Sequence, residues 1–223
     1  MLDERVRSVT GISGVIIGAL GPVIAVLYFM YSGPPPAWNV LTRCLLNLIT
    51  CGLLIVFIAG FCHLIRQAGA DSAWVASLAY GAGLIYTTVT LIAASLEAGV
   101  VFAHPDGTID PTFEGPLAEG SILMHGSITR VLTIVFMLAA GHAVIRTKLL
   151  GVWAGRSAYV IALINLACVP SIYFGKDPSQ FYSAVGWGNS ALTASLILYW
   201  ILAVSIALLK QIRTVPSQVL EKV

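Results

Sequence analysis

Six long apolar runs, separated by short polar connections, organise the chain. The runs cover residues 11–31, 40–65, 74–102, 121–145, 158–174 and 190–209. A helix of roughly 20 apolar residues crosses the hydrocarbon core of a bilayer, with about 17 as the lower limit. Each run is therefore predicted to be a transmembrane helix. Together they predict an all-α fold in which residues 1–223 form a single six-helix membrane domain.

The composition agrees with this pattern. Hydrophobic residues make up 58% of the 223 positions, charged residues only 10%, and the mean hydropathy is +0.90. A soluble domain carries about 25% charged residues, so the surface of this protein must face lipid. The first run is also longer than the 7–15 residues, roughly, of a signal-peptide core. We expect it to be retained as the first span.

The basic residues predict the orientation. In a six-span chain nine of them fall on one side: Arg5, Arg7, Arg66, Arg146, Lys148, Arg156, Lys210, Arg213 and Lys222. The connections on the other side hold one basic residue, Lys176, and five acids: Asp106, Asp110, Glu114, Glu119 and Asp177. Basic connections stay in the cytoplasm, which predicts cytoplasmic termini in a multi-pass protein of the cell membrane. Since the net charge of +2 reflects this topology, it indicates no nucleic-acid partner.

Several ionisable side chains fall within the predicted spans, near their outer ends. Glu97 lies five residues from the end of its run, which is about 7–8 Å at 1.5 Å per residue. Arg43 and His125 lie at similar depth, and Asn47 and Arg130 lie one to two turns deeper. A charge at the centre of a bilayer costs about 2.5–3.5 kcal/mol. These groups should therefore pair with one another or line a polar site.

The third run predicts a tapering pocket beneath Glu97. Ala93 and Ala94 leave space below the carboxylate, and Thr90 and Tyr86 follow on approximately the same helical stripe. The same pattern also suits close helix packing with a few satisfied polar groups. The outer connection at 103–120 is the longest and rich in Pro, Gly and acids, which makes it a candidate lid.

Two interpretations of these residues remain open from the sequence. In the first, Glu97 forms an ion pair with Arg43 or Arg130 that only fixes the bundle. In the second they form a site, because ionisable residues within a membrane are functional by default. Glu97 is then the candidate general acid or base, and His125 is the second proton carrier. The predicted substrate-binding residues are Arg43, Asn47, Tyr86, Thr90 and Arg130. Two arginines against one glutamate also suit a phosphate or carboxylate head group.

A second constellation is the pair His63 and His142, near the cytoplasmic ends of two parallel spans. Two axial histidines can hold a b-type haem, although histidines at an interface are common and we favour that interpretation. The four cysteines lie within spans without a C-x-x-C motif, and we expect them to act as small apolar residues: Cys44, Cys51, Cys62 and Cys168. We expect no metal and no cofactor.

The functional hypothesis that joins these observations is a protein that handles a hydrophobic small molecule in a cavity open to the outer leaflet, with membrane lipid as its surroundings. Its most specific form is an enzyme of lipid or isoprenoid type, such as a terpene cyclase in which Glu97 donates the proton that starts cyclisation. The alternatives are a small carrier or helper subunit without catalysis, and a haem-bearing electron carrier.

Overall fold

The computed structural model describes residues 2–31, 33–104, 107, 109–112, 114 and 117–220, without the side chains of 2 and 213–220. Asp106, Lys222 and the side chain of Arg213, used above for orientation, lie outside this description. The predicted all-α class is confirmed: 82% of the chain is helical, and the described residues contain no strand. The helices are α1 Leu2–Phe29, α2 Ala37–Ala68, α3 Ala73–Ala103, α4 Ala118–His125, α5 Arg130–Thr147, α6 Val152–Cys168 and α7 Thr193–Leu220.

These helices provide six spans long and apolar enough to cross a membrane, which confirms the predicted number. The fourth span consists of α4 and α5 together. Large apolar side chains are exposed on the outer surface of the spans, as contact with lipid requires. Examples are Val26, Leu48, Ile85, Val131, Leu163 and Ile206. The chain thus has the architecture of a multi-pass membrane protein. Its orientation and single-domain organisation stay predictions.

Consecutive spans are neighbours around the bundle. α1 packs on α2, α2 on α3, α3 on α4 and α5, α5 on α6 and α6 on α7, and α7 closes the arrangement against α1. Because the number of spans is even, the first residues of α1 and the last residues of α7 lie at one end, here named the terminal end. The opposite end is named the far end. The far end contains the connection 174–187 and the described residues of the connection after α3, which are 104, 107, 109–112, 114 and 117.

Glycine lets the helix backbones approach closely in the terminal half of the bundle. Along α1, four glycines face α7: Gly11, Gly14, Gly18 and Gly21. A Cβ atom on Gly14 would lie only 1.8 Å from Ser205 Oγ. Between α5 and α6, a Cβ atom on Gly155 would lie 2.8 Å from the backbone oxygen of Gly141. Small residues permit such contacts in lipid, where dispersion and hydrogen bonding drive helix association.

An aromatic layer fills the middle of the bundle. Phe57 and Phe61 stack with their centroids 5.6 Å apart, and Trp200 meets Phe61 and Phe136 edge-on at 5.9 and 6.3 Å. The indole of Trp200 also donates a hydrogen bond to the Ala154 carbonyl at 2.9 Å. These contacts join four helices: α2, α5, α6 and α7. This aromatic layer separates the closely packed terminal half of the bundle from the far half.

Two spans contain helix breaks at their far ends. The fourth, expected as a continuous helix over 121–145, is interrupted between His125 and Arg130. There the Thr129 hydroxyl donates to the carbonyls of Met124 and Gly126 at 2.8 and 3.2 Å, because a short hydroxyl side chain competes with the helical ladder. In the fifth span, α6 ends at Cys168 and a 3-10 turn follows over Val169–Tyr173. Pro170 lies near the start of this turn, and because proline has no N–H to donate, it interrupts the helical hydrogen bonds.

The Gly141–Gly155 contact generates a test. We expect Gly155→Ala to lower the free energy of unfolding by about 1–3 kcal/mol, since the added methyl group meets backbone that cannot rotate away. Thermal unfolding in detergent measures the change. The matched control is Gly52→Ala, because a Cβ atom at Gly52 meets nothing within 4 Å. Equal stability of the two variants would contradict the packing described here.

Candidate functional site

A cavity of about 660 Å³ occupies the far half of the bundle. Its walls come from α1, α2, α3, α4, α5 and α7. Its base is apolar and consists of four side chains that belong to the same core cluster as the aromatic layer: Ile17, Ile58, Phe136 and Ile201. The volume lies within the range of about 300–1,000 Å³ that small-molecule sites have.

Six of the seven side chains selected from the sequence line this cavity. They are Arg43, Asn47, Tyr86, Thr90, Glu97 and His125. The seventh, Arg130, is absent from the described lining and is held elsewhere. On α2 the polar positions 43, 47 and 50 follow the i, i+4, i+7 spacing of one helical face, and all three contact the cavity. The spatial grouping is now a structural observation, whereas the catalytic and binding roles stay predictions.

A buried ion pair lies in the cavity wall near the far end. Arg43 Nη2 and Glu97 Oε1 are 2.7 Å apart, and the two side chains are only 2% and 3% exposed. The sequence left the partner of Glu97 open between Arg43 and Arg130, and the structure gives Arg43. α2 and α3 are antiparallel neighbours. A residue near the start of α2 and one near the end of α3 therefore reach the same depth.

Further polar groups form hydrogen bonds with the ion pair. Tyr28 donates to Glu97 Oε2 at 3.1 Å, and its ring lies under the Arg43 guanidinium at 4.2 Å, a cation–π distance. Thr112, from the connection after α3, accepts from Arg43 at 2.6 Å and donates to Glu97 Oε1 at 3.3 Å. Cys44 Sγ lies 4.0 Å from Glu97 Oε2. The pair thus ties together α1, α2, α3 and the connection expected to act as a lid.

Sequence reasoning missed these supporting residues for different reasons. Tyr28 could have been selected, because a phenol near the end of an apolar span has its hydroxyl at the depth of Glu97. Cys44 was classed with the apolar thiols, and all four cysteines are indeed buried and free of disulfides. Thr112 carries no signal in the sequence, since one threonine in an irregular connection is indistinguishable from its neighbours.

Several buried polar atoms, each belonging to a residue that lines the cavity, have no hydrogen-bond partner within the described part of the chain. They are Arg43 Nε, Thr50 Oγ1, His125 Nε2 and Thr133 Oγ1. Arg43 and Thr133 are only 1% and 4% exposed. An unsatisfied buried polar group costs about 1–3 kcal/mol, so these four atoms are an unrelieved cost within the part of the chain that the structure describes.

Arg130 forms a separate polar cluster that joins three spans. It is 1% exposed and donates to Asn165 Oδ1 and Asn189 Oδ1 at 3.4 Å each, to the His125 carbonyl at 3.3 Å and to the Asn189 carbonyl. His125 is the last residue of α4, and Asn189 lies in a π-helical turn that precedes α7. A cation is favourable at the carboxyl end of a helix. Arg130 therefore binds backbone carbonyls at two irregular points, where α4 ends and where the π-helical turn precedes α7.

The two histidines of the haem hypothesis do not line the cavity. His142 is exposed, and its Nδ1 lies 3.5 Å from the Tyr159 hydroxyl. His63 Nε2 is buried without a described partner. Over the described ranges, no group of three or more His, Cys, Asp and Glu side chains is arranged to hold a metal ion.

The connection 174–187 covers part of the cavity, with Pro178 and Val185 in the lining. Its Lys176 forms an exposed ion pair with Glu119 of α4. Ser179 donates to Asp177 Oδ1 from its hydroxyl at 2.7 Å and from its backbone N–H at 2.9 Å. These hydrogen bonds hold the pKa of the Asp177 carboxyl below its usual value. Asp177 therefore stays charged at neutral pH, where its hydrogen bonds help to shape this cover.

The buried ion pair generates a double-mutant cycle. We expect Glu97→Gln and Arg43→Met each to cost about 3–5 kcal/mol of stability, because each leaves a buried charge without its partner. The double variant should recover most of that loss. Thermal unfolding in detergent of the four proteins gives the coupling energy.

The exposed Lys176–Glu119 pair is the matched control. The cycle of Lys176→Met and Glu119→Gln should give a coupling below about 1 kcal/mol, as surface ion pairs do. Additive losses at Arg43 and Glu97, equal in coupling to this control, would show that the buried pair does not support the bundle.

Comparison of the chain with models of known protein families, with curated proteins and with solved structures finds no match. Function therefore has to be argued from the cavity, from its charges and from the polar atoms that line it.

Proposed function

We propose that this protein is a membrane-embedded enzyme that acts on a hydrophobic substrate of lipid or isoprenoid type. The observation that carries the proposal is the cavity of about 660 Å³, apolar at its base and polar at its far end. Such a site suits a long apolar molecule with one reactive or polar end. The base excludes water, and an active site without water strengthens every electrostatic interaction inside it.

Lateral access supports a lipid substrate. The glycine contacts hold α1 against α7 only as far as Gly21. Beyond it, towards the far end, Pro22 and Phe29 of α1 and Trp187, which precedes α7, line the cavity while remaining exposed. The wall between α1 and α7 is therefore the natural route from the bilayer. The far end is covered by the connections, which contribute Pro35, Thr112 and Val185 to the lining.

The proposed chemistry is acid–base catalysis by Glu97 and His125. His125 lines the cavity, and its buried Nε2 has no partner among the described residues. An imidazole can give or take a proton near neutral pH. Glu97 receives hydrogen bonds from the hydroxyls of Tyr28 and Thr112, through which a proton can reach it. Protonation-initiated cyclisation of a terpenoid, with Glu97 as donor and Tyr86 on the pocket wall, is the most specific form of this proposal. Glu97 is ionised while it is paired with Arg43, so each turnover requires that it first take up a proton, and the proton that the product cation loses restores the balance.

His125→Gln tests the proposal because this substitution leaves the ion pair intact. We expect the variant to fold, to retain bound lipid on purification and to lose about 100-fold or more in turnover, the typical contribution of a general acid or base. Lipids are extracted from the purified wild type, identified by mass spectrometry and incubated with each protein to follow product formation.

His142→Gln is the matched control, since His142 is exposed and lies outside the cavity lining. It should keep wild-type turnover. A wild-type protein that retains lipid but never converts it would favour a carrier, and a wild type that retains none would overturn the proposed function.

A further inference from the structure

The charged residues that line the cavity identify the class of head group it accepts. In the described lining there is one cation, Arg43, and there are two carboxylates, Glu97 and Asp110. Arg43 and Glu97 neutralise each other at 2.7 Å. Asp110 adds a negative charge at the far end of the cavity, where its Oδ1 accepts a hydrogen bond from the Thr112 N–H at 2.9 Å. The lining therefore carries no surplus positive charge.

This balance removes the basis for an anionic head group. The sequence suggested that Arg43 and Arg130 together suit a phosphate or carboxylate. Arg130 instead donates its hydrogen bonds to Asn165, to Asn189 and to the carbonyl of His125. A phosphate in the cavity would meet Arg43, which is already paired with a carboxylate, and a second acid, Asp110. Taking such an anion out of water without a cation of its own is strongly unfavourable.

The unspent polar atoms suit an uncharged oxygen. Arg43 Nε is a pure donor, and His125 Nε2 donates or accepts according to its tautomer. A hydroxyl or carbonyl oxygen accepts from the first, and a hydroxyl also donates to the second. Thr50 and Thr133 place further uncharged hydroxyls on the wall. Each such hydrogen bond relieves the cost of a buried unsatisfied group.

We propose that the cavity selects an uncharged lipid that carries a hydroxyl or carbonyl oxygen at its head, with that oxygen bound at Arg43 Nε and His125 and the apolar chain directed towards the aromatic layer. This inference rests on the proposed function and names its substrate class. It separates alcohols, ketones and aldehydes of lipids and isoprenoids from their phosphates and carboxylates.

Two probes of equal chain length test the selection. Radiolabelled geranylgeraniol and geranylgeranyl monophosphate are titrated against the full chain in lipid nanodiscs. We expect the alcohol to bind at least tenfold more tightly than the phosphate. Equal or tighter binding of the phosphate would overturn this inference and leave the proposed function standing. No binding of either probe by a wild type that also purifies without lipid would overturn both.

Charge variants sharpen the test. Asp110→Asn keeps the oxygen that accepts from Thr112 but removes a negative charge, so the preference for the alcohol should fall severalfold. Glu97→Gln leaves Arg43 without its counter-charge, so it should tighten phosphate binding about tenfold. Because Glu97→Gln is expected to destabilise the bundle, Asp110→Asn is the decisive variant if the other fails to fold.

Glu119→Gln controls for a change in net charge alone, since Glu119 is exposed and outside the described lining. Its probe preference should match the wild type. If Asp110→Asn and Glu119→Gln alter the preference equally, or neither does, charge within the cavity does not govern selection and the inference is wrong.

His125→Phe tests the oxygen site directly. The ring is replaced by one of similar size without hydrogen-bonding atoms, and geranylgeraniol affinity should fall about threefold to tenfold while the all-carbon chain still binds. His142→Phe should leave that affinity unchanged. Unchanged affinity in His125→Phe would place the head group elsewhere and overturn the assignment.

Discussion

The far half of this bundle depends on one buried ion pair, Arg43 with Glu97. Two charges at this depth are unfavourable singly, since neither side chain reaches water. Together they are acceptable because the pair is short and because Tyr28 and Thr112 add hydrogen bonds. The consequence is structural. α1, α2, α3 and the connection after α3 converge on one point, and the space they leave beneath it is the cavity.

The two halves of the bundle are packed differently. In the terminal half, glycines bring α1 to α7 and α5 to α6, and Phe57, Phe61 and Trp200 fill what remains. In the far half two polar clusters, at Arg43 and at Arg130, join the helices beside a small apolar cluster of Val40, Cys44 and Val101. Arg130 satisfies backbone carbonyls released where α4 ends and where the π-helical turn at Asn189 precedes α7. The cavity therefore lies between a closely packed base and a far end that is covered by the connections.

Depth was predictable from the sequence, but orientation around each helix was not. Run lengths gave the six spans, and counting residues from the end of a span placed Glu97 level with Arg43 and His125. Choosing between Arg43 and Arg130 as the partner of Glu97 required the rotation of each helix about its axis, which apolar spans do not encode clearly. The break between His125 and Arg130 was missed for a related reason. Its cause is a threonine hydroxyl competing for local carbonyls and an arginine that binds them, and neither effect leaves a hydrophobic signature.

A structural role for the ion pair and a functional role for the cavity are therefore compatible. The sequence presented them as alternatives because it treated each arginine as available to Glu97 or to a ligand. In the structure Arg43 divides its donors: Nη2 binds Glu97 and Thr112, while Nε has no partner among the described residues. The same guanidinium can thus fix the bundle with one nitrogen and meet a ligand with another. Its charge is already neutralised, so what it offers to that ligand is a directed hydrogen bond, and a directed hydrogen bond without net charge favours the uncharged oxygen of a lipid over an anion.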